Sequence, residues 1–255
     1  MLRERLPEDL GRCEAALARR GRPARVVPRT GSTNDDARAW AREGGATGAV
    51  IIADAQESGR GRQGRSWSTP PGETLAMSVI LRPRVAPTDL PPIALVAGLA
   101  ARSAIADRVP FPVRLKWPND VVIDRKKIAG ILVEGAIAGA GVEHVVVGIG
   151  INVRRASFPP ELIATSLALE GATDLDRGTL ALAVLDALDA ELAAWLGDPG
   201  AIGKRLQPHD ALVGRSVVLE NGVSGVADGI ADDGRLRVRV DDRVLFAHAG
   251  EVRIQ

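Results

Sequence analysis

The chain has 255 residues with 33 Lys and Arg against 32 Asp and Glu, and a formal net charge of +1 leaves no single-signed field to gather polyanions. At 45% hydrophobic and 25% charged residues the composition is that of a globular protein with one large domain or a large and a small one, which excludes disorder and collagen-like structure. Cys13 is the only cysteine, and His144, His209 and His248 are far apart, so disulfides, thiolate metal clusters, a histidine metal site and a Ser-His-Asp triad all lack support.

The opening MLRERLPEDL lacks the apolar core of a secretion signal, and no apolar run reaches the roughly 18 to 20 residues of a membrane span. A cytoplasmic protein without membrane contact is expected. Leu6, Leu10, Cys13 and Leu17 fall at helical spacing, which predicts a helix ending near Gly21 with Cys13 buried. A short extended stretch over 25–27 follows. Ser32 or Thr33 then caps a helix with Asp35 and Asp36 in its first turn, running through Trp40 to Gly44 and Gly45. Residues 49–53 read as a buried strand, 74–81 as a strand, 89–106 as a mostly buried helix, and 113–116 as a strand. Residues 121–123 and 128–134 form a hairpin pattern across a basic turn, and 144–153 is a further strand. From Pro159 to about Gln207 the pattern is helical, clearest at Leu180, Val184, Leu188, Leu192 and Trp195, with a break at 197–200. Between Leu212 and Ile254 short alternating strands separated by turn pairs predict a small antiparallel barrel or sandwich, so the chain divides into 1–209 and 210–255.

Gly59-Arg60-Gly61-Arg62-Gln63-Gly64-Arg65-Ser66 contains G-x-G-x-x-G, but a dinucleotide fingerprint must open a helix, and Trp67-Ser68-Thr69-Pro70-Pro71-Gly72 forbids one. A phosphate-binding P-loop fails for the same reason, and Arg65 stands where its lysine belongs. What remains is three guanidiniums on a glycine-rich backbone, either a closable anion clamp or a solvated basic turn. Trp67 reads equally as a base-stacking surface or a core residue. In Lys116-Trp117-Pro118-Asn119-Asp120, an Asn-Asp turn accounts for Asn119 and Asp120 but not for a lysine between Leu115 and Trp117. Gly148 and Gly150 inside a strand point to close approach of a ligand or backbone, or to a bulge.

Taken in order, Gly31-Ser32-Thr33-Asn34, the 59–67 loop, the 116–120 segment, Lys127-Ile128-Ala129-Gly130-Ile131-Leu132-Val133-Glu134 and Gly148-Ile149-Gly150-Ile151-Asn152 resemble the biotin protein ligases. The match covers roughly Thr30 to Asn152. The resemblance implies an α+β catalytic domain, a mixed sheet with helices, followed by a small all-β SH3-like barrel. It also implies ATP-dependent activation of biotin as biotinyl-5′-AMP and its transfer to a lysine of a biotin carboxyl carrier protein domain of acetyl-CoA carboxylase or a related carboxylase. Such a mixed anhydride hydrolyses in water, so ordering of the glycine-arginine loop over it is expected.

By the same resemblance Lys116 and Arg62 are the catalytic pair. Biotin would meet Ser32, Thr33, Asn34, Gln56, Arg60, Gly61, Arg62, Lys116, Gly130, Leu132, Gly148 and Gly150. The ATP and adenylate side would meet Arg60, Arg62, Arg65, Trp67, Lys116 and Asn152. Mg2+ is implied by the chemistry, with Asp120 as its ligand, and Arg177 stays outside the site. About 30 residues precede Ser32, too few for the DNA-binding module of repressor members, so a ligase without DNA binding is expected. A homodimer through an exposed sheet edge is open. The rival readings are a lipoate protein ligase of related fold and, from another class, a nucleic-acid-binding module. Residues 214–255 hold six Arg against seven Asp and Glu, a charge of −1 that counts against the second.

Overall fold

The computed structural model describes residues 5–139, 141–248 and 250–255. The elements in chain order are α1 (Glu8–Arg19), β1 (Ala24–Thr30), α2 (Thr33–Arg42), β2 (Val50–Gln56), β3 (Thr74–Leu81), α3 (Ile93–Ala106), β4 (Val113–Lys116), β5 (Asp120–Ile123), β6 (Lys126–Ala138), β7 (Gly141–Asn152), α4 (Arg177–Gly197), α5 (Ile202–Leu206), β8 (Ser216–Leu219), β9 (Ser224–Ile230), β10 (Leu236–Val240), β11 (Arg243–Ala247) and β12 (Val252–Ile254).

The first seven strands make one mixed sheet in the order β1-β2-β3-β7-β6-β5-β4, with β1 and β2 parallel and the other neighbours antiparallel. Every residue of β3 is buried, because the apolar run 74–81 is covered on both faces. On one face Leu75, Met77, Val147, Ile149 and Ile131 join a core with Leu10 and Leu17 of α1, Val96 and Ala100 of α3, and Leu180, Val184 and Leu188 of α4. The 87–106 segment has the length and apolarity of a membrane span, but α3 spends them as the central core helix, with ten of its residues buried. On the other face α2 lays Ala37 and Ala41 over Ile51, Ile80 and Val146. A ten-residue helix is only about 15 Å long, so it covers one end of that face and leaves the other end open.

Burial pushes the Cys13 thiol up to about 11, in keeping with its place in the core. The helical expectation for 159–207 holds only from Arg177 onward. Pro159 and Pro160 withhold two backbone donors, and the 155–168 segment is pinned to the sheet end instead. Lys127 N donates to Ile163 O, Thr165 N to Lys127 O and Leu167 N to Asn152 O, all at 2.9 to 3.1 Å. At the start of α4, Asp176 accepts from Thr179 N at 2.8 Å as the N-cap.

Residues after 215 form a second, antiparallel sheet ordered β11-β10-β9-β8-β12. Its edge strands β11 and β12 do not pair, so it is an open five-stranded sheet, not a closed barrel. Its inner residues Val217, Leu236, Val238 and Val252 merge with the large core, and the buried Trp117 indole donates to Gly234 O at 3.0 Å across the junction. The large sheet has blunted edges: β1 carries Pro28, and Leu115 of β4 is bridged to Asp210.

Candidate active site

The uncovered end of the sheet is a set of cross-strand rows. Ser78, Gly148 and Leu132 stand side by side, as do Ala76, Gly150 and Gly130. These small residues make the floor of a pocket of about 760 Å³, walled by the start of α2, the 59–69 loop and the 155–164 segment. The register through Gly148 and Gly150 is unbroken, which removes the bulge reading. A Cβ at Gly148 would collide with Asn34 Oδ1, and one at Gly150 with the Trp67 indole. Close approach of side chains is therefore what requires both glycines. Gly150→Ala is expected to displace the Trp67 ring, costing about 1 to 3 kcal/mol by overpacking. Urea unfolding and the tryptophan emission maximum check it, and an unchanged midpoint with unchanged emission would show that the ring yields freely.

One end of the pocket is neutral and rich in hydrogen bonds. Ser32 has the extended backbone of an N-cap but makes no side-chain cap, and Gln56 from the end of β2 takes that role. Its Oε1 accepts from Thr33 N at 2.9 Å and from the Thr33 hydroxyl at 3.1 Å, while its Nε2 donates to Thr69 Oγ1 at 3.0 Å. Ser78 Oγ lies 2.6 Å from Asn34 Oδ1 and 2.8 Å from Thr33 Oγ1.

Arg60 closes this end but is not a free cation. It donates to Asp35 at 2.6 and 2.9 Å and to Glu134 at 3.2 and 3.3 Å. The Arg60 hydrogen bond, opposing burial and helped by Arg38, holds the Asp35 carboxyl below its ordinary range. Arg60 lines the pocket as expected, with its charge shared between two carboxylates.

The opposite end is cationic. Lys127 Nζ lies 2.6 Å from Asp120 Oδ1 and 5.4 Å from the centre of the half-buried Trp67 ring. Among the described residues Arg62 meets only neutral acceptors, Asn119 Oδ1 at 3.2 Å and Gly250 O at 3.4 Å. Asn119 is itself fixed by donating to Ile131 O at 2.8 Å, and Asn152 by donating to Thr165 O at 2.9 Å. The loop is tied by its own contacts: Trp67 N donates to Gly59 O and Gly61 N to Arg65 O, Gln63 Nε2 donates to Glu220 at 2.8 Å, and Arg65 pairs with Glu251. Its arginines thus reach both the pocket and the terminal sheet.

Lys116 departs from expectation. It belongs to the outermost strand β4, opposite Asp120, and the pocket lining ends at Asn119 and Asp120. Lys127 takes the place foreseen for it, and a bulge is the reason. Val121 pairs with Ala129 but Val122 with Lys127, so Ile128 is an extra residue in β6. Ile128 and Ala129 both enter the core, and Lys127 is turned onto the Gly130 face that strict alternation would have denied it. Also missed were Asn119 as a pocket residue and the 155–164 wall, where Arg155 stacks over Phe158 at 4.7 Å. Two adjacent lysines before a strand glycine were the available signal for Lys127. The remaining expected residues line the pocket: Ser32, Thr33, Asn34, Gln56, Gly61, Arg62, Arg65, Trp67, Asp120, Gly130, Leu132, Gly148, Gly150 and Asn152.

Residues 26–152 match the biotin/lipoate A/B protein ligase family. A biotin--[acetyl-CoA-carboxylase] ligase of Mycobacterium tuberculosis is 35% identical over 240 residues, covering 89% of this chain and 87% of its own length. One from Paracoccus denitrificans is 32% identical, covering 84% and 93%. The biotin protein ligase of Aquifex aeolicus, solved in complex with biotin and ATP, superposes with a TM-score of 0.78 at 27% identity over 91% of this chain and 98% of that one.

Proposed function

The chain belongs to the biotin protein ligases of the biotin/lipoate A/B protein ligase family, and on that premise we propose that it condenses biotin with ATP and passes the biotinyl group to a lysine of a carboxylase carrier domain. The observation that carries this reading is a single trough with a neutral, hydrogen-bonding end and a cationic end, joined over a floor of glycines. A neutral bicyclic urea with an anionic tail has the same polarity.

The bicyclic ring would lie among Ser32, Thr33, Asn34 and Gln56, which offer donors and acceptors of fixed direction. The valerate chain would run over Gly148 and Leu132 toward Gly130. Its carboxylate and the α-phosphate, two anions that repel each other, would meet between Arg62 and Lys127, whose charges are preorganised there. A carboxylate oxygen then forms a bond to the α-phosphorus as the bond to the pyrophosphate oxygen breaks, leaving biotinyl-5′-AMP and pyrophosphate. The adenine would be enclosed by Trp67, Asn152 and the 155–164 wall, with Arg65 at the rim. Attack by the carrier lysine on the acyl carbon expels AMP.

Magnesium would arrive with the nucleotide, since no group of three or more His, Cys, Asp or Glu among the described residues forms a cage. Asp120 is the carboxylate suited to hold it, and the ion would supply charge neutralisation to the phosphates. The terminal sheet we read as an opened relative of an SH3-like barrel, serving as the second domain from residue 210. Mass spectrometry after incubation with Mg-ATP and biotin, lipoate or neither tests the reading. Biotinyl-adenylate alone is expected; a lipoyl-adenylate alone overturns the substrate, and no acyl-adenylate from folded protein overturns the reaction.

A further inference from the structure

Glu134 has no part in the reaction just described, yet it is the hub of the neutral end. It stands on the pocket face of β6, two residues beyond Leu132, in the row of Ile80 and Val146. Its carboxylate accepts from Asn34 Nδ2 at 2.7 Å, from Arg60 at 3.2 and 3.3 Å and from Arg38 at 3.4 Å.

Two consequences follow from that position. An ionised carboxylate can only accept, so it forces the Asn34 amide to present Nδ2 to Glu134 and Oδ1 to the Ser78 hydroxyl, 2.6 Å away. The Ser78 proton is then committed to Asn34, and Thr33 gives its own proton to Gln56 Oε1. The direction of the Asn34–Ser78 hydrogen bond is set from one carboxylate, and Gln56 sets that of Thr33. The second consequence concerns charge. Left alone, Arg60 would make both ends of the trough cationic, and an acid with a neutral head could enter either way round. Glu134 and Asp35 together balance Arg38 and Arg60 and leave the end with Arg62 and Lys127 as the attractive one.

We propose that Glu134 is a specificity-determining positioning residue, fixing hydrogen-bond polarity through Asn34 and substrate direction through Arg60; the assignment rests on the ligase reading above. In Glu134→Gln the side-chain amide can donate as well as accept, so Asn34 loses its imposed orientation and Arg60 regains part of its charge. The KM for biotin is expected to rise about tenfold or more, the scale of one charge-assisted hydrogen bond, while kcat at saturating biotin and the KM for ATP stay within about twofold. A merely structural role would move all three together.

The swap Asn34→Asp with Glu134→Gln restores an acceptor toward Ser78 with the total charge unchanged, and it is expected to recover most of the biotin affinity. Wild-type protein that makes no biotinyl-adenylate would sink the ligase reading. Wild-type protein that makes it, with a Glu134→Gln variant of unchanged biotin KM, would overturn this assignment alone. Should the single variant fail to fold, a folded swap variant that does not bind biotin overturns it equally.

Discussion

Lys127→Ala is expected to lower the rate of biotinyl-adenylate formation by about 10² to 10³, the usual loss when one preorganised group facing developing charge is removed. Its ammonium is held from two sides, by Asp120 and by the Trp67 face, and it lies over Gly130. Removing it leaves Arg62 as the cation facing the trough and strips Asp120 of its partner, so two anions would have to approach beside an uncompensated carboxylate. Biotin binding without ATP should change little, because the ring end is untouched. Lys116→Ala, on β4 beyond the pocket, should stay within about twofold of wild type. Single-turnover formation of the adenylate distinguishes the two. A large loss at Lys116 with none at Lys127 would reverse the assignment.

The second large effect concerns stability. Arg177 is wholly buried at the start of α4 and binds Asp9 through Nε and Nη2 at 3.0 and 3.1 Å, and Asp54 through Nη1 at 2.5 Å. Arg154 adds a bond to Asp9 at 2.9 Å, and Gly72 N donates to Asp54. The four side chains balance as two cations and two anions and tie α1, β2, α4 and the loop before β3 together. Arg177→Ala leaves two carboxylates buried with one cation between them, and a loss of about 3 to 5 kcal/mol is expected, a large share of a normal domain's stability.

The same cluster sets an acid limit. Burial raises the Asp9 carboxyl, but the hydrogen bonds and charges of Arg177 and Arg154 outweigh it and bring it to about 2, against 3.8 for an ordinary aspartate. A depressed carboxyl contributes stability that is present above pH 4 and lost as pH falls toward 2. Urea midpoints at pH 7 and pH 3 should converge in Arg177→Ala relative to wild type. Equal midpoints for the two proteins at pH 7 would sink the prediction.

The fold was legible wherever local pattern and burial agree. The strand β3 and the start of α2 at Thr33 appear at their expected positions, although Ser32 makes no side-chain cap. Leu180, Val184 and Leu188 marked α4 correctly, but residues 159–176 read as helix because their apolar residues face a pocket and a sheet end, not a helical stripe. Ser32, Thr33, Asn34 and Gln56 were singled out by family resemblance alone, and they do line the pocket. Lys127 was not legible, since a bulge has no signature in a two-residue period. The partners of the arginine loop were hidden for a different reason. Gln63 meets Glu220 and Arg62 meets Gly250 across 157 and 188 residues, and only the folded chain relates them.

The bulge at Ile128 also bears on which mutations this site can survive. The direction of Lys127 depends on how many residues lie between Lys126 and Gly130, and hardly on what residues 128 and 129 are, provided they are apolar. Point substitutions there leave the count intact. Loss of Ile128 would remove the bulge and leave Lys127 facing the pocket by simple alternation, whereas one residue gained between Lys127 and Gly130, with the bulge kept, would turn the ammonium into the apolar interior. The site is thus tolerant of substitution and of loss of the bulge residue but intolerant of insertion beside it, a pattern that a scan of single-residue insertions would reveal where an alanine scan stays silent.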